Sequence, residues 1–336
     1  MSVALSAPPI EKKNYLTALK DAIRFEMLRN PEMVCIGEDI GLLGGAFGVT
    51  EGLQEEFGPD RVIDAPISEA AIVGAAIGMA LRGRPVMVEM QFIDFISCGF
   101  DQIVNNAATM AYRTAGKASV PIVIRGPSGG YGGGGPYHSQ QNEAWFAHSP
   151  GLKVVCPSTP RDAYGLMISS LRDPNPVIFY EVKDLYRKRE IEEEIPDDTI
   201  IPLGSASVVR PGSDITIISY GNPMHMCIKV AGMLADDGIE AELIDLRSLV
   251  PLDEDTIYRS VKKTGRVLVV NEASRTCGFA AEVIARVNEN CFQYLDAPPL
   301  RVTRADTPVP WVQPLELAVL PSVEKVYEAA LKVARF

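Results

Sequence analysis

The chain has 336 residues, 47% of them hydrophobic, which is enough for about two domains with cores of their own. Lys and Arg total 32 against 43 Asp and Glu, a net charge of −11, which excludes the basic surface expected of a nucleic-acid binder or an anionic-membrane binder. Six scattered cysteines without a C-x-x-C pair, and only three histidines, exclude zinc-type spacing and leave buried free thiols as the expected state.

No apolar stretch approaches the roughly 20 residues of a membrane span. The longest runs, such as residues 72–81, are short and rich in Ala and Gly. Residues 1–10 show no basic cluster ahead of an apolar run, so no leader is expected, and a cytoplasmic location fits. From Asn14, the residues Leu16, Leu19, Ile23 and Met27 recur at helical spacing until Asn30-Pro31 stops them, just before an apolar strand at residues 33–36. The alternation continues with strand 61–64, helix 68–81, strand 85–89, helix 97–112 and strand 121–125. After a glycine-rich loop come strand 152–156, helix 161–171 and strand 177–180. Residues 187–202 are charged and Pro-containing, which predicts a linker crossing the surface, and the domains are set at 1–190 and 204–336 with 191–203 between them. The second half alternates again, with strands at 215–219, 241–245, 267–270 and 301–303, helices near 224–234, 255–263 and 280–287, and a last helix at 323–334. The fold class is α/β, with two doubly wound domains.

Several segments carry candidate chemistry. The loop at residues 126–135 contains both a G-x-G-x-x-G match and a G-x-S-x-G match around Ser128. Neither has the helix that its mechanism requires immediately afterwards, so the plain reading is a mobile loop whose missing side chains let a substrate or a neighbouring chain approach. A serine hydrolase using Ser128 with a histidine such as His225 is the alternative reading. His138 ends the loop and could donate a proton to bound substrate, while His148 follows Trp145 and Phe146. Glu69 opens an otherwise apolar, small-residue helix; burial of that helix on most faces would desolvate the carboxylate and raise its pKa. Glu38 and Asp39 follow a strand, at the edge where open α/β sheets bind ligands. Phe92, Phe95 and Phe100 are core candidates, one of which could flank a planar ring.

Taken in order, GEDIG at residues 37–41, GVTEGL at 48–53, RVIDAPISEAAIVGAAIGMAL at 61–81 and FDQIVN at 100–105 resemble one family. Further matches are YHSQQNEAWFAHSPGLKVVCPSTPRDAYGLM at 137–167, DPNPVIFYE at 173–181, IDLRSLVPLDEDTI at 244–257, TGRVLVVNEA and RVTRADTPVP. The family is the β subunit of the E1 component of 2-oxo acid dehydrogenase complexes. The resemblance implies a thiamin-pyrimidine-binding N-terminal domain, a transketolase-like C-terminal domain and thiamin diphosphate held between subunits of an α2β2 heterotetramer. It assigns Mg2+ to the α chain, in keeping with the lack of any Gly-Asp dipeptide here. It implies Glu69 at N1′ of the aminopyrimidine, Phe95 and Ile67 beside that ring, and His138 as the proton carrier during acyl transfer to a lipoyl-bearing E2. Glu38 resembles an acidic residue of a polar tunnel between active sites. Ile122, Ser170, Leu171, Asp173 and Asn175 match a structural potassium site. The substrate class implied is a small 2-oxo acid, with pyruvate, branched-chain and acetoin types all resembled.

Overall fold

The computed structural model describes residues 12–336. Seven strands form the first sheet in the order Ser248–Val250, Lys153–Val155, Val177–Val182, Ile122–Ser128, Val86–Glu89, Val34–Gly37 and Val62–Asp64. All neighbours run parallel except the first pair. The four central strands are buried along their whole length, as parallel strands covered on both faces must be. Helix Tyr15–Arg29 starts where the Asn14 side chain accepts from the Thr17 amide at 2.8 Å, and it packs on helix Pro160–Leu171, capped in the same way by Thr159.

The second sheet has the order Leu300–Arg304, Val267–Ser274, Ile215–Ser219, Ala241–Asp245 and Ser207–Arg210, parallel except for the last strand. Alternate residues serve opposite faces. Ile217, Leu243 and Leu268 meet helices Asn222–Asp236 and Val323–Ala334, whereas Ile218, Ile244 and Val269 join the larger core shared with the first sheet. Both halves are therefore doubly wound α/β units, and one hydrophobic core runs from the first sheet into the near face of the second.

Four sequence expectations need correction. The helix expected at 97–112 is instead a 3₁₀ segment Ile93–Gly99, a π-turned segment Gln102–Ala107 and a short helix Met110–Arg113. The wider turn shows in the Ala108 amide donating to the Ile103 carbonyl, five residues back. The stretch expected to be a surface linker is pinned: Glu193–Glu194 pairs with Lys12–Lys13, and Ile195 and Ile201 are buried. The stretch has four isoleucines without a lasting period, and the two that are buried anchor it. The strand Ser248–Val250 was not foreseen; it belongs to the second half but extends the first sheet, paired antiparallel with Lys153–Val155. Finally, four cysteines are buried free thiols, but Cys98 and Cys277 are exposed.

Beneath the C-terminal ends of the central strands lies a buried ion network. The Arg125 guanidinium donates to Glu89 on one side and, through two nitrogens, to Glu181 on the other, and the Tyr186 hydroxyl donates to Glu181 at 2.6 Å. All of these side chains are at most 2% exposed. Burial outweighs the arginine at Glu89 and pushes its carboxyl up to about 6. Removing one member leaves uncompensated buried charge. Arg125→Met is expected to lower the free energy of unfolding by about 3–5 kcal/mol, measured from denaturant midpoints.

Candidate active site

Four neighbouring strands deliver the candidate residues to one edge of the first sheet. Glu38 follows strand Val34–Gly37, Glu69 opens the helix after Val62–Asp64, Phe92 and Phe95 follow Val86–Glu89, and His138 lies beyond Ile122–Ser128. This is the carboxyl edge, where open α/β sheets bind ligands. The loop after Glu38 is held rigidly. The Asp64 carboxylate accepts from the Gly41 amide at 2.6 Å, and the Thr50 hydroxyl donates to the Ile40 carbonyl at 2.8 Å.

Glu38 is only 7% exposed, and its Oε1 has no hydrogen-bond partner. Burial raises its pKa, and the neighbouring Glu69 and Asp39 carboxylates add to the rise. An orphaned, desolvated carboxylate is costly unless a ligand or a proton satisfies it. Glu69 is half-buried at the helix N-terminus, where the helix dipole favours its charge. Burial of that helix on most faces, as the sequence suggested, is not found in the single chain. Ile72, Val73, Ala76, Ile77 and Ala80 face the core, while Ala70, Ala71, Ala75 and Gly78 are exposed, as is Ile67 at 83%.

Phe95 and His138 come together. Their ring centroids lie 5.6 Å apart at 90°, and Phe92 stands edge-on to His138 at 4.4 Å. Phe47 continues the stack from Phe92 to Tyr186, which reaches back to the Arg125 network. His138 faces a cleft of about 680 Å³ lined also by Phe47, Phe92, Lys183, Tyr186 and Trp311. Phe100 packs instead on Phe146, and His148 lines a different cleft with Cys277, Glu282 and Arg286.

The glycine-rich loop is pinned rather than free. Its Gly130 amide donates to the Glu272 carboxylate, its Gly133 amide donates to Glu316 at 3.0 Å, and the Tyr131 hydroxyl donates to the Pro321 carbonyl at 3.0 Å. What approaches closely is this chain's own C-terminal half. A Cβ at Gly130 would lie 2.8 Å from Leu320 Cδ1, and one at Gly135, whose φ is +66°, would lie 2.8 Å from Trp311 Cε3. Glu272 and Glu316 are both buried, and burial pushes the Glu272 carboxyl up to about 7.

The hydrolase alternative fails on geometry. Ser128 is fully buried with its hydroxyl donating to the Glu181 carbonyl at 3.0 Å, and His225 Nε2 pairs with the Ser158 carbonyl at 2.7 Å. Among the candidate potassium residues, Ser170, Asp173 and Asn175 share one turn, where the Asp173 amide donates to Ser170 at 3.2 Å. The Asp173 carboxylate is already engaged by the Lys153 ammonium and the Asn175 amide, and the Ser170 hydroxyl donates to Leu166. Main-chain carbonyls and the Asn175 side-chain oxygen are what this turn has to offer a cation. The described residues hold no cluster of three or more His, Cys, Asp or Glu suited to a metal ion, and none of their helices is long and apolar enough to cross a membrane.

Comparison with known proteins supplies the class. Residues 11–189 match the transketolase pyrimidine-binding domain and residues 204–326 the transketolase C-terminal domain. A solved chain described as "Split gene transketolase, inactive beta4 tetramer" superposes with a TM-score of 0.76 at 20% identity, over 97% of this chain and 99% of that one, which establishes the common fold. This is a transketolase-type two-domain protein. The pyruvate dehydrogenase E1 component subunit beta of Bacillus subtilis is 45% identical, covering 96% of this chain and 98% of the relative. The 2-oxoisovalerate dehydrogenase subunit beta of the same organism is 43% identical over 96% and 99%. The acetoin:2,6-dichlorophenolindophenol oxidoreductase subunit beta of Cupriavidus necator is 44% identical over 95% and 96%. The chain belongs to the family of E1 β subunits of 2-oxo acid dehydrogenases.

Sequence reasoning missed Glu272 and Glu316, which reach across the two halves, and Lys183, which bonds main-chain carbonyls 45 and 54 residues away; such distant contacts leave no local signal. Glu272 also offers a test. Its folded carboxyl titrates at about 7 against an ordinary 4.5, so the folded state binds more protons between those values and its stability falls as pH rises through that window. Glu272→Gln keeps an acceptor for Gly130 and is expected to flatten this fall, read from denaturant midpoints across about pH 4.5 to 7. Identical slopes for the two proteins would contradict the buried-carboxylate reading.

Proposed function

We propose that this chain supplies the pyrimidine side of a thiamin diphosphate site completed by an α subunit, in an α2β2 enzyme that decarboxylates a 2-oxo acid and passes the acyl group to a lipoyl-bearing E2. One observation carries the reading: the segments bearing Glu38, Glu69, Phe95 and His138 leave neighbouring strands at a single sheet edge, where Glu38 neighbours Glu69, Phe95 packs edge-on against His138, and a buried Glu38 oxygen has no partner. A proton on Glu38 fits that need, which leaves the neighbouring Glu69 carboxylate to bond a heterocycle. The exposed face of small residues on helix Glu69–Leu81 lets a second subunit come close to it.

Bound thiamin diphosphate supplies a nucleophilic carbon for the 2-oxo group and an electron sink for loss of CO2. Glu69 would hold and return the proton at the pyrimidine N1′ position, acting as a general acid-base from a half-buried site. Glu38, with its raised pKa, would sit behind Glu69 as a proton store on the polar path between sites. Phe95 and Ile67 would flank the ring and keep water from it. His138, held edge-on by two phenylalanines, would deliver a proton to the lipoyl sulfur released when the S–S bond opens and its partner sulfur takes the acyl group. Mg2+ and the diphosphate fall to the α chain. A structural potassium ion at Ile122, Ser170, Leu171, Asp173 and Asn175 belongs to the same reading, held by main-chain oxygens because the Asp173 carboxylate faces Lys153. The relatives of nearly equal identity are named for pyruvate, 2-oxoisovalerate and acetoin, so the reading commits to the 2-oxo acid class. Discrimination by a methylene or two is worth only about 1–3 kcal/mol.

Reconstituted with an α partner, Glu69→Gln is expected to bind thiamin diphosphate yet lose about 10²- to 10⁴-fold in 2-oxo acid decarboxylation. Turnover close to that of the unaltered enzyme would remove Glu69 from its role. For His138→Ala, decarboxylation followed with an artificial electron acceptor should survive better than acyl transfer to a lipoyl domain. Equal losses in the two assays would contradict the assignment of His138.

A further inference from the structure

Lys183 has no part in the reading above, yet the contacts of the histidine loop converge on it. It follows strand Val177–Val182 directly and is half-buried. Its ammonium donates to two main-chain carbonyls, Gly129 near the start of the glycine-rich segment and His138 at the end, the latter at 2.7 Å. A segment of this composition loses much backbone entropy on ordering and has few side chains with which to pin itself. One cation bridging its ends closes it. A compact ammonium with three rotatable donors suits two converging carbonyls better than a planar guanidinium would.

The amides of the same segment are held by carboxylates. Glu272 takes Gly130, Glu316 takes Gly133 at 3.0 Å, and Asp94 Oδ1 accepts from Ser139 and Gln140 at 3.2 and 3.1 Å. These carboxylates, with Asp184, oppose the drop that burial imposes on the Lys183 pKa. The charges thus interlock: acids hold the loop by its N–H groups, and the lysine among them holds it by its C=O groups. Lys183 also lines the cleft that His138 faces, but its donors are directed to the loop backbone.

Resting on the reading of His138 as the proton donor in acyl transfer, we propose that Lys183 is a positioning residue, fixing the His138 imidazole by strapping the loop that carries it, without itself touching the substrate. The strap acts through the main chain. Small displacements of a reacting group cost on the order of 10- to 100-fold in rate, and the loss should fall on the step that uses His138.

The test uses the enzyme reconstituted with its α partner and thiamin diphosphate, comparing Lys183→Met, Lys183→Arg and His138→Ala. Two rates are measured for each, dye-linked decarboxylation and acyl transfer to a lipoyl domain, with kcat and KM resolved separately. For Lys183→Met, kcat for acyl transfer should fall about 10- to 100-fold and dye-linked turnover much less, with KM for the 2-oxo acid little changed. Lys183→Arg should recover part of the loss. If Lys183→Met does not assemble, Lys183→Gln, which keeps one amide donor but loses the charge, must show the same split with a smaller loss. If His138→Ala separates the two assays but the Lys183 variants do not, the strap is wrong while the role of His138 stands. If His138→Ala itself fails to separate them, the functional reading fails, and the role of Lys183 falls with it.

Discussion

An arginine buried between two glutamates holds the site's foundations together. Arg125 joins the ends of strands Val86–Glu89, Ile122–Ser128 and Val177–Val182, which carry the phenylalanines, the histidine loop and Lys183 on their far sides. Its partner Glu89 crowds Gly45 so closely that a Cβ there would lie 2.6 Å from the carboxylate, which fixes the loop after Glu38. Tyr186, donating to Glu181, passes the constraint through Phe47 and Phe92 to the His138 ring. Burying three charges is expensive, and such a network repays it by permitting one arrangement of these strand ends. A site that must align groups from four strands depends on that uniqueness.

The C-terminal half completes the constraint. It adds strand Ser248–Val250 to the edge of the first sheet and sends Glu272 and Glu316 onto the glycine-rich loop. Across the same seam Tyr220 donates to one oxygen of the buried Glu143 carboxylate at 2.5 Å, and within its own half Tyr220 accepts from Asn271 at 3.0 Å. The transketolase-type C-terminal domain is thus a structural part of the histidine loop as well as a neighbour of it. Glycines crowd that loop because the backbone of one half lies against Leu320 and Trp311 of the other.

Much of this was legible from periodicity alone. Strands buried on both faces read as unbroken apolar runs, and Asn14 marked a helix start that the structure bears out. The family resemblance of the ISEAA and HSQ segments named Glu69 and His138, and the fold brings their strands to one edge. Other features were hidden for physical reasons. The segment at 93–113 has helical spacing but changes its turn twice, and hydrogen-bond pattern is not written in hydropathy. Glycines at 126–135 looked like freedom, because the groups that fix them stand as far as 183 residues away, as Glu316 does from Gly133. Exposure of the face containing Ala70, Ala71, Ala75 and Gly78 contradicts a simple rule that apolar helices are covered, and its small side chains suit a subunit contact.

The proposed function rests on a division of labour, in which this polypeptide would offer carboxylates and aromatic rings to the pyrimidine end of a coenzyme and another polypeptide would grip its phosphates through magnesium. Calorimetric titration of thiamin diphosphate with Mg2+ into the purified chain, first alone and then after mixing with its α partner, tests this most directly. The account predicts no saturable binding alone and stoichiometric binding once the partner is present. Saturable binding to the isolated chain, accompanied by turnover of a 2-oxo acid, would contradict it.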